Sequence, residues 1–284
     1  MPDPPTATAP SPEKQFGAAG PTTTVVVSVY NQTRELELLL AALAAQTDPN
    51  FDVVLADDGS MPPAGQIAKR LGASLPFEVH QVWQPDEGFC KARIQNAAAL
   101  STPAKLLIFL DGDCIPFRNL VGVYRGRAVP GEFLAGAVVD LDLKVSRALT
   151  PESVRSGAHE AAVGSGERWE IQRKQISNWW HRGGRNRRRP RIRGGNCAVT
   201  ADLFRAVNGF DEVYCSYGKE DSDLRNRMRN AGARGISVWT SAIATHLSRA
   251  VSPSAVRRSP DSLYEDGKEL VRARKGLDSH EVRG

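Results

Sequence analysis

Leu106-Leu107-Ile108-Phe109-Leu110-Asp111-Gly112-Asp113 decides the fold. A short, unbroken apolar run is the pattern of a strand buried on both faces. Two acids one residue apart at its end aim two carboxylates into the crevice beyond the sheet, where open α/β sheets bind ligands. Such a pair suits a hard divalent cation bridged to phosphate oxygens. Asp-Gly is also a common turn dipeptide, so this stretch alone leaves a plain strand-ending turn open.

The pattern around it repeats the theme. Residues 25–29 read as a buried strand, and Leu36, Leu39, Leu40 and Leu43 form a helical stripe behind a Thr33 cap. A strand at 51–56 ends at Asp57-Asp58-Gly59-Ser60, followed by a helix near 66–71, a strand at 77–83 and a helix at 91–100. Strands separated by helices predict right-handed crossovers and a mostly parallel sheet flanked by helices, an α/β fold. Further on, a strand pair is expected within 133–143, a return to ordered structure at 196–200, a helix at 202–207, and a turn at Asn208-Gly209. A helix follows with Leu224, Met228 and Ala231 at helical spacing, then a strand at 235–239 ahead of His246. The Gly- and Arg-rich stretch 157–195 is too long for an ordinary connection and reads as a mobile lid. Residues 1–21, poor in large apolar side chains, are expected to be disordered; 251–284 reads as a polar tail with one helix near 263–275. A single domain over 22–250 is the expectation.

Composition narrows the classes. With 41% hydrophobic and 24% charged residues, the 284-residue chain is of ordinary globular make-up. No apolar stretch approaches the roughly 20 residues that span a bilayer, and the proline-rich start lacks the apolar core of a secretory signal. A cytoplasmic location is therefore expected, with contact at the inner face of the membrane left open. Cys90, Cys114, Cys197 and Cys215 show no C-x-x-C pairing, which argues against a zinc knuckle and against a disulfide framework. The net charge of +5 is concentrated: Arg182, Arg185, Arg187, Arg188, Arg189, Arg191 and Arg193 crowd one segment. Such a run suits a nucleoside diphosphate, an anionic acceptor or an acidic membrane surface, or is a solvated loop with no single partner. Trp179 and Trp180 beside it could stack on a sugar ring or anchor the loop on the core.

Several motifs together resemble a known family. The start at 25–31, Asp57-Asp58-Gly59-Ser60, Asp86-Glu87-Gly88 followed by Lys91-Ala92-Arg93 and Asn96, and Phe109-Leu110-Asp111-Gly112-Asp113-Cys114 are similar to the donor half of family 2 glycosyltransferases of the GT-A fold. Gly194-Gly195-Asn196, Gly209-Phe210-Asp211-Glu212, the run from Gly218 through Glu220-Asp221-Ser222-Asp223 to Leu224, and His246 resemble the acceptor half in its galactosyltransferase-type version. The resemblance implies a GT-A, Rossmann-like sheet, with a donor half at 22–128 and an acceptor half at 129–250. Cys114 and Lys219 depart from its pattern.

It also implies an activity: metal-dependent transfer of a sugar, with inversion, from a nucleotide-sugar donor, a UDP-sugar by preference, to a hydroxyl of a glycan or glycolipid. The leaving diphosphate needs stabilisation of developing negative charge, which a divalent cation provides as a Lewis acid. Asp113 is the first choice of metal ligand and His246 the second, by the resemblance; an imidazole ligand favours Mn²⁺ over Mg²⁺. Asp111 is placed nearer the ribose. Asp57 or Asp58 would accept hydrogen bonds from the nucleotide's imide or ribose, as an ionised carboxylate can only accept. Lys91 and Arg93, at a helix start, are placed to meet the diphosphate. Asp221 is assigned as the base, with Glu220, Asp223 and Asn196 positioning the acceptor; helix capping explains one acid there but not three. Two rivals remain in view. A nucleotidyltransferase also uses strand-end acids and a metal, and a binding module for polyanions or membrane surfaces could be built on the Arg run. A nucleic-acid partner is not expected, since scattered strand-end acids repel a polyanion.

Overall fold

The first strand, β1 (Thr23–Val29), is buried along its whole length, and a parallel strand pairs with each of its edges: β2 (Asp52–Asp57) and β4 (Leu106–Asp111). The computed structural model describes residues 22–180, 190–192, 195–248 and 259–281. Between these strands run α1 (Thr33–Ala44), α2 (Gly65–Leu71), β3 (Val79–Trp83) and α3 (Lys91–Leu100). After β4 come β5 (Cys114–Pro116), α4 (Leu120–Arg127), β6 (Glu132–Ala135), β7 (Ala137–Asp140), α5 (Leu143–Ala148), α6 (Pro151–Arg155), α7 (Ala158–Ala161) and α8 (Ser165–Trp180). The remainder is β8 (Cys197–Thr200), α9 (Ala201–Ala206), α10 (Glu220–Asn230), β9 (Arg234–Ser237), β10 (Ile243–His246), α11 (Asp261–Gly267) and α12 (Asp278–Glu281).

The large sheet has the order β3-β2-β1-β4-β8-β6-β9, in which β8 alone runs against both its neighbours. Strand order reverses between β1 and β4, and that switch point opens a crevice at their carboxyl ends. In register, Val29 lies beside Asp57 and Ser28 beside Asp111, so the two acid-bearing strand ends stand at one level on either side of β1. Apolar side chains cover both faces. Val25, Val27, Leu55, Ile108 and Leu110 pack under the leucines of α1, while Val26, Val54, Leu107 and Phe109 pack under α3 and the ring cluster of Phe204 and Phe210. The unbroken apolar runs in the sequence follow from this two-sided burial. The fold is the mostly parallel α/β sheet flanked by helices that the strand and helix pattern predicts.

Four local expectations are corrected. Thr33 does not cap α1: Gln32 holds the cap position without a side-chain hydrogen bond, because its amide donates to Asp113 instead, 3.1 Å away. The strands expected within 133–143 do form, as β6 and β7, yet they do not pair. The chain steps between sheets at Gly136, and β7 joins a second, three-stranded sheet in the order β5-β10-β7. Of the stretch read as a lid, residues 158–161 and 165–180 are helical. Helix α8 docks through polar contacts that leave little apolar period to read: Gln175 donates to the carbonyl of Ser237 (2.9 Å) and Asn178 to its hydroxyl (3.0 Å). The Arg run, apart from exposed Arg191, and the side chains of Trp179 and Trp180 lie outside the described residues. Finally, residues 259–281 are not a solvated tail. Tyr264, Ala273 and Leu277 are buried, and Leu277 belongs to the core beneath α3.

Candidate active site

The site begins at the turn between β4 and β5. The amide of Gly112 donates to the carbonyl of Ser28 (2.8 Å), so the turn hugs the end of β1. A Cβ at Gly112 would stand 3.0 Å from the Ser28 carbonyl oxygen and 2.5 Å from the Gln32 side-chain oxygen Oε1, so a larger residue between the two acids would have to displace the Gln32 side chain. The small sheet then delivers His246. Strand β10 places His246 opposite Cys114 and beside Asp140, and the amide of Leu247 donates to the carbonyl of Asp113 (2.9 Å). His246 Nε2 ends 3.6 Å from Asp113 Oδ2, and its Nδ1 lies 2.8 Å from Asp140 Oδ1. The Asp113 carboxylate, reinforced by Asp140 and opposed by burial, raises the His246 pKa to about 9. Two residues separated by more than 130 positions in sequence thus meet at one point.

Asp111, Asp113 and Cys114 present ligand atoms within 4.8 Å of one another. Their chemistry differs. Burial pushes the Cys114 thiol well above its usual range, so it stays protonated and is a poor metal ligand. Asp111 is engaged by a cation of the protein, Lys91, whose Nζ is 2.6 Å from its Oδ1. The oxygen and nitrogen pair of Asp113 and His246 remains, and it fits a divalent transition metal that takes the place of the His246 ring proton between them. Gly195 packs against this corner: a Cβ there would lie 2.6 Å from Cys114 Sγ and 3.4 Å from Asp111 Oδ2. That close approach gives the Gly-Gly-Asn motif its physical meaning.

Lys91, at the first turn of α3, is the hinge of the site. Besides Asp111 it faces Glu220 Oε1 at 3.9 Å, and its side chain is only 14% exposed. Burial alone would discharge the amine, but the carboxylates of Asp111, Asp221 and Glu220 outweigh it and hold the pKa well above the usual lysine value. Glu220 itself is pushed up to about 7 by burial first and by the neighbouring Asp221 charge second, against the pull of Lys91. Its Oε2 has no hydrogen-bond partner among the described residues. A buried, unsatisfied carboxyl oxygen is costly where nothing binds it, and it points to a ligand hydroxyl. The strand-end acids and the start of α10 therefore share one cleft, bridged by an ammonium group.

Several predicted site residues are held elsewhere. Asp57 is fully buried and its oxygens accept from the amides of Ser60 (2.9 Å) and Ala64 (2.7 Å) and from Gln81 (2.7 Å); it builds the turn after β2. Asp58 accepts from the amide of Cys90 (2.9 Å) and from Gln84, which ties the β2 end to the start of α3. Arg93 points away from Asp111, donating to Gln84 (2.8 Å) and pairing with Glu87 (2.7 Å). Asn196 is fully buried: it accepts from the Tyr124 hydroxyl (2.6 Å) and donates to the carbonyls of Ala137 (2.8 Å) and Ala242 (3.0 Å), joining the two sheets. Asp223 turns inward onto Arg227, whose Nε is 2.7 Å from its Oδ2 with both side chains sealed from solvent. Asn196 and Asp223 are thus both engaged in contacts within the fold. Asn96 and Glu212, parts of the resembling motifs, are likewise rivets between α3 and the Phe210 turn.

One residue escaped the sequence reading. Tyr30, directly after β1, is 47% exposed at the crevice mouth, and its hydroxyl donates to Asp86 (2.8 Å). An exposed aromatic at the end of the central strand was the available signal.

Residues 24–124 match the family model of glycosyl transferase family 2. Over this stretch the chain is similar to that family. Residues 180–249 match a second model, described as the N-terminal domain of galactosyltransferase, although here that region is carboxyl-terminal. Validoxylamine A glucosyltransferase from Streptomyces hygroscopicus subsp. jinggangensis is 24% identical over 235 residues, covering 75% of this chain and 52% of that protein. The chain thus spans about half the length of the curated relatives it first matches. Among solved structures, Staphylococcus aureus TarS residues 1–349 with UDP-GlcNAc superposes with a TM-score of 0.60 at 15% identity, covering 92% of this chain and 70% of that one. The mannosyltransferase PcManGT from Pyrobaculum calidifontis, with GDP-Man and Mn²⁺, gives 0.54 at 19% identity over 87% and 61%. These family 2 likenesses agree on the GT-A fold. No described helix is long and apolar enough to cross a membrane.

Proposed function

We propose that this protein moves a sugar, with inversion, from a nucleoside diphosphate donor to a hydroxyl of a glycan or glycolipid. The observation that carries the proposal is the bridge Asp111–Lys91–Glu220, which sets the nucleotide-side acids and the first turn of α10 in one cleft. Asp113 and His246 would hold a divalent cation, Mn²⁺ by preference, whose Lewis acidity offsets charge on the departing diphosphate. Lys91 adds a fixed positive charge beside Asp111. The exposed ring of Tyr30 lines the nucleoside side. Asp221 takes the proton of the acceptor hydroxyl as that oxygen attacks from the face opposite the leaving group. Glu220, protonated or not near neutrality, offers its free oxygen to an acceptor hydroxyl. The UDP-GlcNAc complex of TarS and the GDP-Man and Mn²⁺ complex of PcManGT support a nucleotide-sugar donor and a metal, and UDP is the nucleotide favoured here.

The test is a panel of UDP-glucose, UDP-galactose, UDP-GlcNAc and GDP-mannose, each with and without Mn²⁺, read by thermal shift and by release of nucleoside diphosphate. One donor is expected to raise the melting temperature only with metal, since a ligand of the native state stabilises by its occupancy. Asp113→Asn and Asp221→Asn are expected to abolish turnover while remaining folded. Release of pyrophosphate in place of nucleoside diphosphate, or full turnover by both variants, would overturn the assignment.

A further inference from the structure

Residues 259–281 follow both family matches, yet they wrap the acceptor side of the cleft. The loop at 215–219 leads directly into Glu220, and it ends in an unusual backbone: Lys219 sits at φ 82°. L side chains adopt that conformation rarely, so neighbouring groups must hold it. They do so from the carboxyl-terminal segment. Lys219 Nζ is 3.0 Å from Asp261 Oδ1 and 5.0 Å from the centre of the Tyr264 ring. The Ser259 amide donates to the carbonyl of Tyr217 (3.1 Å), and its hydroxyl donates to the carbonyl of Ser216 (2.8 Å). The same segment grips the helix that follows. The Tyr264 hydroxyl accepts from Arg225 (3.2 Å) and Asn226 (3.1 Å), both on α10.

We propose that residues 259–264 form a clamp that fixes the loop 215–219, with Lys219, Asp261 and Tyr264 as positioning residues for Glu220 and Asp221. The inference rests on the catalytic reading of that acidic pair. A purely structural role for the segment is satisfied by its buried side chains, Tyr264, Ala273 and Leu277. The Lys219–Asp261 pair adds little to that role, because the two side chains are 41% and 84% exposed and exposed ion pairs contribute little to global stability. Among the described residues its partners are on the loop and the clamp. It can therefore be removed without unfolding the chain.

The experiment uses the full chain and three forms: wild type, Asp261→Asn, and the exchanged pair Lys219→Asp with Asp261→Lys. Hydrogen exchange is followed at residues 215–222 and, as reference, at 106–111, beside thermal unfolding. Asp261→Asn is expected to speed exchange at 215–222 by about 3- to 5-fold, the scale of an exposed pair, with the reference strand and the melting temperature unchanged. The exchanged pair is expected to restore protection. In donor hydrolysis under Mn²⁺, Asp261→Asn is expected to lower kcat about threefold with donor KM unchanged, since the loop presents the base and not the donor site. Unchanged exchange at 215–222, or faster exchange in both regions together, would overturn the clamp. Failure of wild type to release nucleoside diphosphate from any donor would instead refute the catalytic reading, and the exchange data would still judge whether the clamp holds the loop.

Discussion

Replacing Glu220 by Gln should stabilise the protein as it removes an acceptor-side carboxylate, and the size of the effect follows from the site. The Glu220 side chain is 5% exposed, and its pKa rises from an ordinary 4.5 to about 7 through burial and the charge of Asp221. A raised carboxyl favours the folded state when protonated. That contribution is fully present below the unfolded value of 4.5 and is lost as pH climbs through about 7. At about 1.4 kcal/mol per pH unit of difference, ionised Glu220 costs the folded chain about 3 kcal/mol above pH 7. Gln has the shape of the protonated form and carries no proton to lose. Urea unfolding of both proteins from pH 4.5 to 8.5 should therefore show a gap that is small at the acid end, widens between pH 4.5 and 7, and levels off beyond. The variant should lose transfer activity across the range, a trade of stability for function expected where an acid is held against its preference. Parallel stability curves would refute the reasoning, because they would show that Glu220 ionises as freely in the folded chain as in the unfolded one.

Three further outcomes separate ligand-facing from structural residues. Asp113→Asn keeps the shape that accepts from Gln32 but removes the charge beside His246, so Mn²⁺ affinity measured by electron paramagnetic resonance should fall about 100-fold or more while the chain still unfolds in one cooperative thermal transition. Asn196→Ala strands the Tyr124 hydroxyl and two buried carbonyls, and should cost about 3 kcal/mol in urea unfolding. Its specific activity per folded molecule should stay near wild type; a selective loss of acceptor affinity would return Asn196 to the acceptor site. Asp223→Asn leaves the sealed Arg227 guanidinium without its counter-charge and should destabilise by about 3–5 kcal/mol, visible as a lower unfolding midpoint.

What the sequence revealed and what it hid divide along a physical line. The apolar runs at 25–29, 51–56 and 106–110 gave the donor sheet because burial on both faces leaves a local mark on composition. The Asp111-Gly112-Asp113 turn was legible for the same reason: its acids sit where an apolar strand stops. Partnership across the fold left no such mark. Asp223 and Glu220 are three residues apart in one acidic run, yet one faces Arg227 inside the helix packing and the other faces Lys91 in the cleft. Asp57 and Asp58 are adjacent, and the first is consumed by its own turn. Helix α8 docks largely through polar side chains, and the segment 259–281 through widely spaced apolar residues, so periodicity of apolar residues could not announce them.

Lys91 explains why these parts belong to one machine. Without it, Asp111, Glu220 and Asp221 would place several negative charges in a shared, half-dry crevice, and like charges there would drive one another to take up protons. The ammonium group offsets that repulsion, yet only partly: Glu220 still stands at about 7, and one of its oxygens still lacks a hydrogen bond among the described residues. A site finished in itself would have left neither. Under the proposed function, that imbalance is what an acceptor hydroxyl on one side, and a nucleotide with its cation on the other, would relieve, so stability given up by the fold would return as affinity for those ligands.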